Sequence, residues 1–521
     1  MSVVGRTPRP TALNAARRAR ELEALAVGGP VDVLVIGGGI TGAGVALDAA
    51  TRGLRTVLVD KHDLAYGTSR FSSKLVHGGL RYLASGQYGI AHESAVERHR
   101  LMTRIAPHLT RPLAQVVPLF AADSAARGAY IATGYVLGDA LRALARTPRR
   151  VLPDPGFVSA AEVERLAPAV RSGDLRGGVR GWDGQLFDDA RLVVAVARTA
   201  AGYGASILTR VEAVSAVGDS AVLRDALTGA ELTVRARTVI NATGVWAGRF
   251  DAGVHVHPSR GTHLVVDAAR LGFSDVSLTA PLPGSSSRFV FSVPAPHGRA
   301  YIGLTDVDAP GEPPEVASAT DAEIDQLLDV FGDVLQVPLS RDDVIGTFAG
   351  LRPLLAGGDE GDDEAAEPSD LSRRHAVRVS RDGVVSIVGG KLTTYRRMAQ
   401  DAVDAAARHA GLRAGTCVTA SLPLVGAWPR ERLAWLAPEA PARFVRRYGA
   451  EARFAAGLGA GPSAARGVTA QELEWAVRVE GALTVDDVLD RRTRLGLVAA
   501  DRAESAEAVA SAFDRAGVTP A

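Results

Sequence analysis

The 521-residue chain has one cysteine, Cys417, three methionines and only 5 % aromatic side chains. A lone thiol makes no intrachain disulfide, zinc cluster or iron–sulfur site, and it suits a reducing compartment. Neither sign of charge is in excess: 59 basic against 58 acidic side chains leave a formal charge of +1. That withholds the broad positive field of a dedicated nucleic-acid binder, so any anion site is local, and neither a nucleic-acid partner nor a metal site is expected. Long apolar runs are missing too. The most hydrophobic early window, 31–50, contains Gly37, Gly38, Gly39, Gly42 and Gly44 together with Asp32 and Asp48, so no transmembrane helix is expected. Arg6, Arg9, Arg17, Arg18 and Arg20 are followed by no apolar core or small-residue cleavage site, so no secretory signal is read. Glycine (56) and proline (27) make up about 16 % of the chain, too little for a low-complexity protein.

The length favours roughly three domains. Residues 1–30 read as an N-terminal extension, with an amphipathic helix over 11–26 that serves either as a packing appendage or as a surface anchor. Residues 31–420 alternate strand-like and helical patterns. A buried strand at 31–37, an alanine-rich helix over 42–52 and a strand ending at Asp60 open the region as a βαβ unit. Further strand-like runs lie at 205–214, 237–244, 262–268, 288–294, 299–307 and 384–390. The acidic stretch 356–369 lacks large apolar residues and reads as a solvated loop. Residues 421–521 are helical in period and nearly free of strand signals, a separate helical domain. The fold class is α/β: a Rossmann-like cofactor domain, an interleaved α+β substrate domain and a C-terminal helical domain.

Gly37-x-Gly39-x-x-Gly42 follows the first strand, opens the first helix, and is followed by Asp60 at the end of the second strand. Gly37 allows a tight turn, Gly39 lets the backbone approach a pyrophosphate at the helix N-terminus, and Gly42 lets helix and strand pack closely. Asp60 would bind the adenosine ribose. This pattern takes FAD or NAD. Two later features favour FAD: the turn Asn241-Ala242-Thr243-Gly244 after another strand, and the turn 389–394 opening a helix whose N-terminus can face the pyrimidine edge of a reduced flavin.

The strings TSRFSSKLVHGGLRYL (68–83), DDARLV (188–193), NATGVW, FAGLRPL (348–354), VGGKLTTYR (388–396) and GALTVDDVLDRRTRLGL (481–497) resemble those of FAD-dependent, respiratory glycerol-3-phosphate dehydrogenases, from about residue 31 to the C-terminus. The departures are Asp60 where glutamate is commoner and a less serine-rich run at 67–71. The resemblance implies noncovalent FAD. Its contacts would be Gly37, Gly39, Gly42 and Asp60; Thr68, Ser69, Ser73, Lys74 and Leu75 in the following loop, partly through backbone; and Thr243, Gly244, Gly390, Leu392 and Thr393. It also implies phosphate-binding or oxygen-polarising cations: Arg81, Arg288, Arg352, Arg373 and Lys391, with Tyr82 adjacent. Arginine's planar fork suits phosphate and a lysine suits a point contact beside the flavin. Arg374 can equally take the place of Arg373. His263 is the general-base candidate, with a buried structural histidine as the other reading, and Arg352 and Lys391 complete the catalytic set. His77 is read as hydrogen bonding within its loop, in preference to a covalent flavin link.

The implied reaction is oxidation of sn-glycerol 3-phosphate to dihydroxyacetone phosphate by hydride transfer to FAD, with electrons passed to a quinone. Alternatives are a glycerol-3-phosphate oxidase using oxygen and a related amine or hydroxy-acid oxidase. A cytoplasmic protein, peripheral on the inner face of the cell membrane, would fit, and a homodimer is allowed for. The basic run 141–150 either contacts anionic headgroups or is a solvated helix end.

Overall fold

The computed structural model of the chain describes residues 10–79, 82, 86–285, 288–355 and 374–521. The strand Val31–Ile36 lies at the centre of the first sheet, in parallel with Thr56–Asp60 on one side and Glu231–Asn241 on the other. Ser206–Thr209 extends the sheet beyond Thr56–Asp60, and Val385–Gly389 and then His375–Val379 extend it beyond Glu231–Asn241. Val33 and Val35 point into a core shared with the helices Ile40–Thr51, Asp189–Gly202 and Tyr395–His409. Leu34 and Ile36 point into a second core built with Leu25, Leu223 and Val234. A strand covered on both faces carries apolar residues at every position, which is why 31–37 reads as a continuous run.

The N-terminal helix, Ala15–Val27, is a packing appendage. Asn14 Oδ1 accepts from Arg17 N (2.9 Å), Arg18 Nε donates to Thr209 O (2.7 Å), and the Arg18 guanidinium also pairs with Asp225. Two strand expectations need correction. The run 205–214 is two strands, Ser206–Thr209 and Val211–Val217, because Arg210 between them adopts a left-handed φ of 57°. The run 299–307 likewise divides into Arg299–Gly303 and Val307–Asp308.

The second sheet is inserted into the first at two points. Residues 75–186 leave between Thr56–Asp60 and Ser206–Thr209, and residues 256–355 leave between Glu231–Asn241 and His375–Val379. Its backbone includes the long antiparallel pair Thr110–Phe120 and Leu175–Leu186, and the pair Val256–Asp267 and Val344–Leu355. The helix Asp321–Gly332, opened by a Thr320/Glu323 capping box, covers it through Leu327 and Phe331 against Leu264, Val266, Leu278 and Ile302. From Arg430 onward the elements are helical, and Leu473, Val477, Val488, Leu489, Val509 and Phe513 form a core of their own. The acidic stretch 356–369 lies outside the described residues.

Candidate active site

A cavity of about 1350 Å3 opens between the two sheets. Its floor is made where open α/β sheets bind ligands, by the turns leaving the carboxyl ends of the parallel strands. Gly37 and Gly39 follow the first strand, Asp60 ends the second, Thr243 and Gly244 follow the third, and Gly390, Lys391, Leu392 and Thr393 follow the fourth. The second sheet supplies the opposite wall, with His263, Arg288 and Arg352.

Each glycine of the first turn has its own cause. Gly37 has φ +111°, and a Cβ there would stand 2.6 Å from Ala242 O. Gly42 is pressed so closely on Gly37 O that a Cβ would overlap it. Neither position tolerates a side chain, with or without a ligand. Gly39 differs: it caps the helix Ile40–Thr51 and faces the cavity, and a Cβ would meet only Ser69 Oγ, at 3.1 Å. Asp60 accepts from Gly38 N (2.5 Å) and His62 N (2.7 Å). Burial outweighs those two donors and pushes its carboxyl up to about 6.

The loop after Asp60 runs along the cavity. Thr68 donates through Oγ1 to Leu351 O (2.6 Å), and Ser69 Oγ accepts from Ile40 N (2.9 Å), capping the helix end. Ser73 and Leu75 line the wall. Lys74 does not line it with its side chain. At φ 58° it turns inward, and its ammonium donates to Arg70 O (3.0 Å), Ser72 O (2.8 Å) and Asp189 Oδ2 (2.9 Å). Burial lowers it to about 8, against the opposing pull of Asp189. Only its backbone is left for a cofactor contact.

At the other end, His263 and Ser259 point to one face of the strand Val256–Asp267, with side-chain-free Gly261 between them. The Arg352 guanidinium occupies the space over Gly261. Arg352 donates to Ser259 Oγ (3.0 Å), Asp306 Oδ1 (3.0 Å) and Thr305 O (3.1 Å). His263 is 2 % exposed, stacks on Phe348 at 4.6 Å, and has Nε2 2.9 Å from Ser73 Oγ. Burial, then the charges of Lys74 and Arg352, hold the imidazole neutral, well below the usual histidine range. Lys391 places its ammonium 4.3 Å over the Tyr82 ring, and both line the cavity. Arg81 and Arg373 lie outside the described residues. His77 Nδ1 is 3.4 Å from Asp183 Oδ2, and Asp183 also accepts from Gly78 N and pairs with Arg98 at 2.6 Å, so His77 takes part in bonding that ties its own loop down.

The family model described as FAD dependent oxidoreductase matches residues 32–396, and the one described as the C-terminal domain of alpha-glycerophosphate oxidase matches residues 417–516. Glycerol-3-phosphate dehydrogenase 1 of Mycobacterium tuberculosis is 52 % identical over 516 residues, covering 97 % of this chain and 99 % of the relative. The chain belongs to the FAD-dependent glycerol-3-phosphate dehydrogenase family. Glycerol-3-phosphate dehydrogenase 2 of M. tuberculosis is 38 % identical over 494 residues, covering 89 % of this chain and 81 % of the relative. Among solved structures, the FAD complex of the Bacillus halodurans glycerol-3-phosphate dehydrogenase superposes with a TM-score of 0.73 at 28 % identity, covering 97 % of this chain and 94 % of that one. The L-alpha-glycerophosphate oxidase of Mycoplasma pneumoniae shares the fold, with a TM-score of 0.56 at 18 % identity, 77 % of this chain and 100 % of that one.

The cofactor is FAD, and the cavity of this dehydrogenase-family chain fits it. The helix N-terminus beside Gly39 suits a diphosphate, Asp60 suits a ribose, and the positive-φ turn at Gly389 and Gly390 brings backbone to the cavity where no side chain would fit. Sequence reasoning missed three parts of the site. Ser259, Thr305 and Asp306, which orient Arg352, carry no local signal, because they meet only across strand pairings. Phe348 lies within the quoted FAGLRPL string but had no assigned part. The wall formed by Tyr130, Tyr135 and Leu137 comes from the helix Ala125–Leu144, whose apolar spacing was detectable.

Proposed function

We propose that the chain oxidises sn-glycerol 3-phosphate to dihydroxyacetone phosphate and delivers the electrons to a membrane quinone. One observation carries this reading: a buried imidazole and a guanidinium on the same face of two paired strands, with an ammonium from the flavin-side turn in the same cavity. Arg352 is held at three points, so its planar fork is already aimed, and with Arg288 and Lys391 it would receive the substrate's phosphate dianion. His263 would accept the hydroxyl proton at Nε2. The substrate's dianion would offset the positive charges of Lys74 and Arg352 that depress the imidazole and would raise its basicity. FAD, when bound, supplies the two-electron acceptor for the carbon-bound hydrogen. Gly37, Gly39, Gly42, Asp60, Thr68, Ser69, Ser73, Leu75, the Lys74 backbone, Thr243, Gly244, Gly390, Leu392 and Thr393 would hold it without a covalent bond.

The helix Ala125–Leu144 supports the quinone and peripheral-membrane parts. Tyr130, Val136, Leu137 and Leu144 are each at least half exposed, and Tyr130 and Leu137 also line the cavity. Among the described residues no helix is long and apolar enough to cross a membrane. Surface attachment through these apolar side chains and the basic end at Arg146, Arg149 and Arg150 would bring a bilayer-borne acceptor to the cavity mouth.

Purified FAD-loaded protein, assayed with glycerol 3-phosphate and glycerol against a quinone analogue, tests the assignment. Quinone reduction with the phosphorylated substrate alone is expected. Stoichiometric peroxide instead would make oxygen the acceptor, and equal rates on both substrates would remove the phosphate reading.

A further inference from the structure

The segment Asp487–Thr493 and the adjoining Arg494 of the C-terminal region are buried apart from Asp490 and carry carboxylate–arginine pairs that the proposed chemistry does not use, among them Arg491 and Arg492 with Asp63 and Arg491 with Asp487. They meet the loop that follows Asp60. Asp63, 1 % exposed and three residues after the ribose acid, has both carboxylate oxygens taken. Oδ2 accepts from Arg491 Nε (2.7 Å) and Arg492 Nη1 (2.7 Å), and Oδ1 accepts from Arg492 Nη2 (2.8 Å). The two guanidiniums are themselves anchored. Arg492 donates to Glu480 O at 3.1 and 2.9 Å, and Arg491 donates to Asp487 Oδ1. Arg494, in the left-handed region at φ 66°, sends Nη2 to Arg70 O (2.6 Å). Arg70 in turn donates to Tyr66 O (2.8 Å) and Asp490 Oδ2 (3.2 Å).

The stretch 63–70 is therefore pinned at both ends to 487–494, and the residues between the pins include Thr68 and Ser69, which face the cavity. In this arrangement Ser69 Oγ accepts from Ile40 N at the helix end (2.9 Å). Buried ion pairs of this kind add little net stability over well-packed apolar residues. What forked guanidiniums supply is fixed direction. We propose that Asp487–Arg494 is a positioning element of the flavin site, holding the 63–70 loop through Asp63 and the Arg70 carbonyl in the shape that receives FAD. The inference concerns the cofactor and is independent of which alcohol is oxidised.

The test uses the full chain, deflavinated and titrated with FAD, with hydrogen exchange read along the 61–74 loop. Asp63→Asn is expected to weaken FAD binding about ten- to a hundred-fold, the loss of charge-assisted bonds. Loop amides should exchange faster in both flavin-free and flavin-loaded protein, while those around Leu473 and Val509 keep parental rates. Saturating FAD should restore the parental flavin spectrum and KM for glycerol 3-phosphate. Parental FAD affinity in Asp63→Asn would overturn the proposal, as would a raised KM with unchanged FAD affinity. Should Asp63→Asn fail to fold, Arg491→Lys keeps the charge and loses the Nε contact. FAD binding several-fold weaker is then expected in a chain that folds with a somewhat lower Tm, and unchanged FAD affinity there overturns the proposal equally.

Discussion

His263 Nε2 stands 2.9 Å from Ser73 Oγ, joining the wall of the second sheet to the loop that descends from Asp60. The contact crosses the cavity from the proposed proton acceptor to a residue of the flavin side, so the imidazole's orientation is set by both halves of the fold.

Replacing that imidazole should expose its part in the reaction. His263→Gln is expected to lower kcat by about 100- to 10 000-fold, the usual weight of a positioned acid or base, with the flavin spectrum retained. Because burial, Lys74 and Arg352 keep the free-enzyme imidazole neutral well below the usual range, His263 sets no acid limb in kcat/KM near neutral pH. Any limb seen there should survive in His263→Gln. Its disappearance would mean that His263 titrates in the free enzyme.

Arg352→Ala should cost about ten- to a hundred-fold in kcat/KM on glycerol 3-phosphate and much less on glycerol, which lacks the phosphate contact. The same change takes a 3.0 Å guanidinium partner from Asp306, so a lower Tm is expected alongside. Equal losses on the two substrates would give Arg352 to the chemistry or the fold.

Gly42 and Gly39 of the first turn should separate by experiment. Gly42→Ala puts a methyl into Gly37 O and is expected to yield little folded protein. Gly39→Ala meets only the Ser69 hydroxyl, so it should fold with a near-parental flavin-free Tm and bind FAD poorly. Normal flavin content in Gly39→Ala would remove the diphosphate from that spot.

Asp60 makes FAD binding pH-dependent. Burial raises its carboxyl to about 6 in the flavin-free chain, and ribose hydroxyls donate best to the ionised form. Affinity should be full above about 6 and fall as pH drops below it, by at most about tenfold per unit. The sign for folding is opposite. The native state holds an extra proton between the ordinary aspartate range and about 6, so this group adds stability to the flavin-free protein as pH falls through that window. Calorimetry of FAD binding and melting across pH 4 to 7 would check both slopes, and Asp60→Asn should flatten them.

The βαβ opening was legible in the sequence because its determinants are local: Gly37, Gly39, Gly42 and Asp60 lie within one turn, one helix and two strands. Whether Lys74 turns its side chain or its backbone to the cavity was not legible, because a left-handed backbone at that residue and Asp189 from a distant helix draw the ammonium inward. The strands Thr110–Phe120 and Leu175–Leu186 escaped notice because two prolines interrupt the apolar pattern of the first and glycines and charges that of the second, and their pairing with each other supplies what local propensity does not. His263 was legible as a candidate only. Its closeness to Arg352 depends on Gly261 carrying no side chain and on a pairing between residues 259 and 352.

The central strand acquires its two neighbours at very different times in synthesis. Val33 pairs with Thr56 on one side and with Thr238 on the other. The first partner leaves the ribosome almost at once; the second follows only after four strands of the second sheet, Leu75–Val76, Thr110–Phe120, Gly156–Ser159 and Leu175–Leu186, have been made. Until then the edge of Val31–Ile36 is an open template of unpaired amides and carbonyls bearing valine, leucine and isoleucine, the kind of edge that recruits other chains. Fragments ending before Asn241 should accordingly aggregate even though they contain the whole glycine turn, and soluble expression should begin only with fragments long enough to close that edge.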